Sequence, residues 1–162
     1  MAYLLDANVF IQAKNLHYGF DFCPAFWDWL SAQHALGLVF SISQVGDELL
    51  AGDDMLADWA RKQGRAFFLE TDQQSLPALG VVARWATSQQ YEPAAISTFL
   101  QVADYYLVAQ AKAHGHVVVT HEVPSDSRKK IKIPNACLGV EVRFISPYEL
   151  LRRERAKFVL GK

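Results

Sequence analysis

The chain has few cysteines, no long apolar run and little proline or glycine, and each of these features excludes a class of protein. Two cysteines in 162 residues exclude a scaffold held together by disulfides. Six prolines and nine glycines in a chain that is 51% hydrophobic exclude a disordered or collagen-like chain. One globular domain that spans residues 1–162 and buries a sizeable core is therefore expected.

The sequence predicts neither a membrane span nor a secretory signal. No apolar run approaches the ~20 residues that cross a bilayer. The hydrophobic stretch at the start of the chain carries Asp6, and a charged residue there is atypical of a signal peptide. We therefore expect a cytoplasmic protein with no membrane partner.

The net charge of −1 does not identify a partner by itself. A strongly basic nucleic-acid binder would show an excess of positive charge over the whole chain. Any site for an anionic partner must therefore come from the local distribution of charges.

Short apolar runs alternate with helical patterns along the chain. The runs, which are typical of buried parallel strands, cover residues 3–5, 38–42, 117–119 and 143–145. The helical patterns cover residues 24–34, 44–51, 55–62, 72–88, 97–114 and 149–158. Residues 122–134 are polar and basic and predict a loop. This alternation predicts an α/β domain with a central, mainly parallel sheet flanked by helices.

Four acidic residues are predicted to meet at one edge of this sheet. Asp6 closes the first strand, and Glu122 follows the strand at 117–119. Glu48 lies early in the helix after the second strand, and Asp104 lies in the front part of the helix that leads back to the strand at 117–119. Ligands of open parallel sheets bind outside the carboxyl ends of the strands, where all four of these acids are expected.

Four carboxylates at one place repel one another unless a cation neutralises them. Oxygen ligands suit Mg²⁺ or Mn²⁺, which keep several waters and share a phosphate of the substrate. No group of histidines and cysteines has the spacing of a zinc site. The sequence therefore predicts a Mg²⁺ or Mn²⁺ site at this edge of the sheet.

The segments that contain the four acids resemble a known family. In chain order, LLDANVF, SISQVGDEL, ADYYLVAQA and VVVTHE resemble the acidic blocks of PIN-domain nucleases. The resemblance extends over the whole chain and implies a single PIN-like domain with metal-dependent ribonuclease activity, most often as the VapC-type toxin of a bacterial toxin–antitoxin pair. It implies RNA as the substrate, a protein antitoxin as a partner, and Asp6, Glu48, Asp104 and Glu122 as the metal ligands. A homodimer is compatible with this interpretation.

The identity of the fourth acid stays open between two residues. Many PIN domains carry Asp where this chain has Glu122, so either Glu122 or the nearby Asp126 is the ligand. Asn8 and Thr120 either cap turns or, as the resemblance implies, hold the first acid and shape the surroundings of the metal.

Two further groups are candidates for contact with the substrate. A basic cluster, Arg128, Lys129, Lys130 and Lys132, is either a solvated surface or a source of positive potential for RNA, and the first three are the predicted substrate contacts. His121 is adjacent to Glu122 and is a candidate substrate contact, whereas His17 is interpreted as a surface or packed residue.

Two other functions compete with the nuclease. A catalytically inactive PIN-like binding module would keep the fold and act through its tail or through an aromatic surface. The candidate residues for this surface are Phe20, Phe22, Phe26, Trp27 and Trp29. A phosphatase or phosphotransfer receiver is disfavoured because the segment Asp6-Ala7-Asn8 lacks the second Asp of the Asp-x-Asp phosphatase motif.

Overall fold

The computed structural model describes residues 1–161, and its centre is a sheet of five parallel strands. In chain order the strands are β1 (Tyr3–Leu5), β2 (Val39–Ile42), β3 (Phe68–Leu69), β4 (Val117–Val119) and β5 (Phe144–Ile145). Their order in space is β3-β2-β1-β4-β5, so the direction in which strands are added reverses between β1 and β4. In open parallel sheets, such a reversal leaves a crevice outside the carboxyl ends of the two strands.

Helices flank the sheet and connect its strands. Over the described residues they are α1 (Ala7–Gln12), which continues into a π-helical turn (Ala13–His17), α2 (Pro24–Ala35), α3 (Ser43–Leu50), α4 (Met55–Gln63), α5 (Ser75–Ser88), α6 (Pro93–Phe99), α7 (Ala103–His114), α8 (Ile133–Gly139) and α9 (Pro147–Arg153). No helix within residues 1–161 is long and apolar enough to cross a membrane. The predicted α/β fold with a central parallel sheet is confirmed.

The two central strands lie in the core and direct the next residues of the chain to the crevice. Leu4 pairs with Phe40 of β2 on one side and with Val118 of β4 on the other. All residues of β1 and β4 are buried, as expected for strands covered on both faces. The strand β1 is buried to its last residue. Asp6 follows directly and is therefore buried as well.

The helix predicted over residues 97–114 is in fact two helices, α6 and α7. The chain turns between them, and Val102 has an extended backbone at φ −110° and ψ 166°. Apolar residues continue through the turn at Leu100 and Ala103, so the periodicity contains no sign of the break. The prediction that the second helix stops at Gly115 is confirmed, since this glycine adopts the left-handed conformation at φ 68°. The consequence is that Asp104 lies in the first turn of α7.

Proline residues account for two other wrong boundaries. Helix α8 begins at Ile133, within the predicted loop 122–134, with Pro134 in its first turn. The helix predicted over residues 149–158 begins earlier, at Pro147, and ends at Arg153. Proline favours the first turn of a helix because it has no N–H that needs a partner there. The loop is therefore shorter than predicted, and α8 begins directly after Lys132.

Candidate active site

Asp6 is the buried centre of the acidic edge. Its side chain is 3% exposed, and its backbone N–H donates to the carbonyl oxygen of Val119 at 3.0 Å, which fixes it to the end of β4. The hydroxyl of Thr120 donates to Asp6 Oδ2 at 3.1 Å. Thr120 is itself buried. The predicted role of Thr120, that of holding the first acid, agrees with this contact.

The charge of Asp6 is poorly compensated within the protein. Burial, and then the carboxylates of Asp104 and Glu122, raise the pKa of Asp6 to about 7. The Thr120 hydroxyl and the backbone N–H of Asn8 lower this pKa, but they do not offset the increase. A carboxylic acid that burial and like charges keep protonated up to neutral pH gains from a nearby cation.

Asp104 lies in the same electrostatic field. Burial and Glu122 raise the pKa of Asp104 to about 6, with a further upward contribution from Glu48 and a downward one from Lys130. Asp6 is thus within the electrostatic influence of Asp104 and Glu122, and Asp104 is within that of Glu122 and Glu48. Lys130 is the basic residue that partly offsets them at Asp104.

Glu122 joins this edge to the loop that follows β4. Its backbone N–H donates to Thr120 Oγ1 at 3.1 Å, so a single hydroxyl connects Asp6 and Glu122. Its Oε1 accepts from the backbone N–H of Ile133 at 3.0 Å, at the start of α8. Lys132 Nζ lies 3.8 Å from Glu122 Oε2. One oxygen of Glu122 is thus engaged by the backbone, and the other has a basic neighbour.

Asp126 does not lie at this edge. It is exposed and lines a separate cavity together with Trp85 and Tyr91. The geometry therefore favours Glu122 over Asp126 as the fourth acid.

Glu48 forms the outer part of the site. It is exposed on α3 and lines an open cavity of about 570 Å³ together with Asp104 and Lys130. Its neighbour Asp47 lines the same cavity and is also exposed. We call this space the acidic cavity.

The acids fit a loosely held divalent cation better than a closed metal cage. Within residues 1–161, no three side chains from histidine, cysteine, aspartate and glutamate are close enough together to form a ready ligand set. The pKa of Asp6, raised by burial, Asp104 and Glu122, and the pKa of Asp104, raised by burial, Glu122 and Glu48, nevertheless mark a concentration of negative charge. This charge is enough for a cation such as Mg²⁺, which commonly binds through one or two carboxylates and completes its shell with water and phosphate. Carboxylate oxygens are also the ligands that Mg²⁺ and Mn²⁺ prefer.

The basic cluster is divided in space. Lys130 lines the acidic cavity, and Lys129 lines a smaller cavity beside it. The guanidinium of Arg128 lies over the ring of Tyr91, 5.7 Å from its centroid, and lines the same separate cavity as Asp126. Of the three predicted substrate contacts, Lys130 is thus the one beside the acids.

The sequence interpretation missed a group of three rings next to Glu122. Tyr148 Oη lies 3.1 Å from His17 Nε2, and the ring centroids of His17 and His121 are 5.4 Å apart. Burial, and then His17, lower the pKa of His121. The π-helical turn after α1 and the start of α9 bring these residues together from distant parts of the chain, so no spacing in the sequence could reveal the group.

A family model covers nearly the whole of this structure. It matches residues 3–158, from the first residue of β1 to beyond α9, and is described as a domain of unknown function, DUF4411. The chain belongs to the DUF4411 family. No curated protein and no solved structure matches the chain. The family description assigns no activity.

Proposed function

We propose that this DUF4411 protein is a Mg²⁺- or Mn²⁺-dependent endoribonuclease that hydrolyses phosphodiester bonds in RNA. The observation that carries the proposal is the buried, poorly compensated carboxylate of Asp6 at the carboxyl end of β1, beside the point where the strand order reverses, with Asp104 and Glu122 close enough to raise its pKa. The resemblance of four sequence segments to PIN-domain nucleases adds a specific reaction to this chemistry. On that resemblance alone, we extend the proposal to a cytoplasmic toxin with a protein antitoxin.

The residues of the site have separable roles in this proposal. Asp6 and Asp104 hold the cation, and the Thr120 hydroxyl fixes the orientation of the Asp6 carboxylate. When bound, Mg²⁺ or Mn²⁺ lowers the pKa of a water and stabilises the negative charge on the leaving oxygen. Lys130, on the wall of the acidic cavity, attracts the phosphates of the RNA strand.

An inactive binding module is the second candidate, and two observations favour it. One oxygen of Glu122 is already bonded to the N–H of Ile133, and the acids within residues 1–161 form no ready ligand set. Such a module would bind RNA or a protein at the acidic edge of the sheet and would cleave nothing.

Cleavage of a mixed RNA pool separates the two candidates. We expect the purified protein, freed of any bound antitoxin, to cut RNA in the presence of Mn²⁺ or Mg²⁺ and to stop when EDTA removes the metal. The pool must contain structured transfer and ribosomal RNA, because a selective nuclease leaves most single sequences intact. If nothing in this pool is cut with either metal, the binding module is the correct assignment.

A comparison of two basic residues tests whether the RNA backbone passes beside the acids. Lys130→Ser should weaken RNA binding and reduce the slope of log affinity against log salt by about 1, because one phosphate contact is lost. Arg128→Ser is the matched control, since Arg128 lies over Tyr91 and away from the acids. The measurement is the affinity for single-stranded RNA over a range of salt concentrations in EDTA. Equal slopes for wild type and Lys130→Ser would mean that Lys130 contacts no phosphate.

A further inference from the structure

The smaller cavity that Lys129 lines, here called the second cavity, shares a wall with the acidic cavity. It has a volume of about 270 Å³ and lies between α6 and residues 129–131 of the loop. Four residues line both cavities, namely Thr98, Val102, Asp104 and Lys130. A ligand bound at the acids can therefore extend directly into the second cavity.

The second cavity is lined mainly by apolar groups. Its walls include Ala94, Ala95, Phe99 and Ile131, and Val102, which is 40% exposed, lies where the two cavities meet. Ligand pockets for drug-sized molecules begin at about 300 Å³, so this space suits a single ring system rather than a longer segment of a substrate. The lining favours a flat group with apolar faces.

Positive charge beside the apolar lining indicates what that group is attached to. Lys129 and Lys130 both line the cavity, and both are exposed. The acids of the neighbouring cavity would repel an anionic ligand that carried no cation, whereas the two lysines attract phosphate. A flat ring with apolar faces that is joined through a sugar to phosphate is the structure of a nucleotide.

The walls of this cavity are held in place by the fold. The backbone N–H of Glu92 donates to the carbonyl oxygen of Arg128 at 2.9 Å, which ties the start of α6 to the loop. Phe99 is 2% exposed and Ile131 is 3% exposed, so both are anchored in the core. A cavity that exists before binding adds little ordering cost when a ligand enters.

We infer that this cavity, the base pocket, holds one unstacked nucleobase of single-stranded RNA, next to the phosphodiester bond at the acids. The inference rests on the proposed ribonuclease function and names its substrate class. A base within a duplex is paired and stacked and cannot enter, whereas the bases of loops and single strands can be turned outwards. Apolar contact with the face of a base does not depend on which base it is, so the pocket selects for an unpaired base before it selects a particular one.

The test combines a protein variant that fills the pocket with RNA probes that each lack one base. Ala94→Phe places a ring in the pocket from an exposed position on α6, and Ser97→Phe makes a similar addition at an exposed position of the same helix that does not line the pocket. The probe is a short single-stranded RNA, intact or with one base removed at each position in turn, and its affinity is measured in EDTA so that no cleavage occurs. Removal of one base should weaken binding to the wild type about tenfold or more. Ala94→Phe should bind intact RNA equally weakly and should not respond to removal of that base, whereas Ser97→Phe should behave as the wild type.

Other results would overturn the inference. It is wrong if Ala94→Phe and Ser97→Phe bind intact RNA alike, if no single base matters, or if duplex RNA binds as well as single-stranded RNA. Melting temperatures show whether both variants are folded. If Ala94→Phe does not fold, competition by nucleoside 5′-monophosphates against the RNA decides the question in the wild type, and a lack of competition overturns the pocket.

Failure of the inference can be told apart from failure of the proposed function. RNA that binds with the expected dependence on one base but is not cut with any divalent metal would overturn the ribonuclease and leave the base pocket in place. RNA that both wild type and Ala94→Phe cut at the same rate would overturn the base pocket and leave the ribonuclease in place.

Discussion

Asp6→Asn should abolish RNA cleavage while RNA binding persists. The amide keeps the shape of the side chain and its contact with the Thr120 hydroxyl, but it removes one negative charge from the buried centre of the site. Loss of a group that stabilises charge in a transition state commonly costs about 10²- to 10³-fold in rate, and a loss at least this large is expected here. The measurement is the rate of cleavage of the responsive RNA with saturating Mn²⁺, together with the affinity for the same RNA in EDTA.

The matched control for this variant is Asp58→Asn. Asp58 is exposed on α4, where it pairs with Arg61 at 3.1 Å on the surface. The same chemical change there should leave both cleavage and binding as in the wild type. If Asp6→Asn cuts as fast as Asp58→Asn, Asp6 does not take part in the reaction.

Stability without divalent metal should fall as the pH rises from about 4 to above 7. The pKa of Asp6 is raised from 3.8 to about 7 in the folded protein, so the folded state holds a proton that the unfolded state has already released. The contribution of this proton is complete below the unfolded pKa and is lost as the pH passes through the folded pKa. For Asp6 the loss amounts to at most about 4 kcal/mol, or roughly 10 °C in melting temperature for a domain of this size. Asp104 adds to the loss in the same direction, since its pKa is raised to about 6.

Two comparisons isolate this effect from other titrating groups. His116 and His121 have lowered pKa values, so they reduce stability as the pH falls and act in the opposite direction. The difference in melting temperature between wild type and Asp6→Asn cancels their contribution, and that difference should increase with pH in favour of the variant.

Mn²⁺ should raise the melting temperature of the wild type more at pH 8 than at pH 5, because only ionised carboxylates bind it. Asp104→Asn should lose most of this gain. A gain from Mn²⁺ that is independent of pH would place the metal elsewhere.

The parts of the site that follow from strand ends could be predicted from the sequence. The runs that became β1 and β4 are buried on both faces, so their apolar character is continuous and their last residues are easy to locate. Asp6 and Thr120 then follow at the same edge because the strands are parallel neighbours in register, with Leu5 paired to Val119. This local order is sufficient to place both residues at one edge, whereas the hydrogen bond between them is implied only by the resemblance to PIN domains.

The remaining features depend on turns and on packing that has no periodic signal. The break at Val102 places Asp104 at the start of α7, yet the apolar pattern runs through it. The contact of Tyr148 with His17 joins residues 131 positions apart. The two-residue strand β3 is too short for alternation to be detected. The base pocket arises from this kind of feature, because its walls come from α6, the turn before α7 and the loop.

The double attachment of Glu122 decides how variants of the site can be interpreted. Its side chain contributes charge at the edge of the sheet and also anchors the first N–H of α8 through Ile133. Truncation, as in Glu122→Ala, changes the electrostatics and releases the start of the helix at once, whereas Glu122→Gln removes the charge and keeps an oxygen that accepts from Ile133. Asp104 lies in the first turn of its own helix and carries no comparable link to another segment among the side-chain bonds of residues 1–161. A truncated side chain is therefore easier to interpret at Asp104 than at Glu122, although the sequence predicts the same role, that of a metal ligand, for both residues.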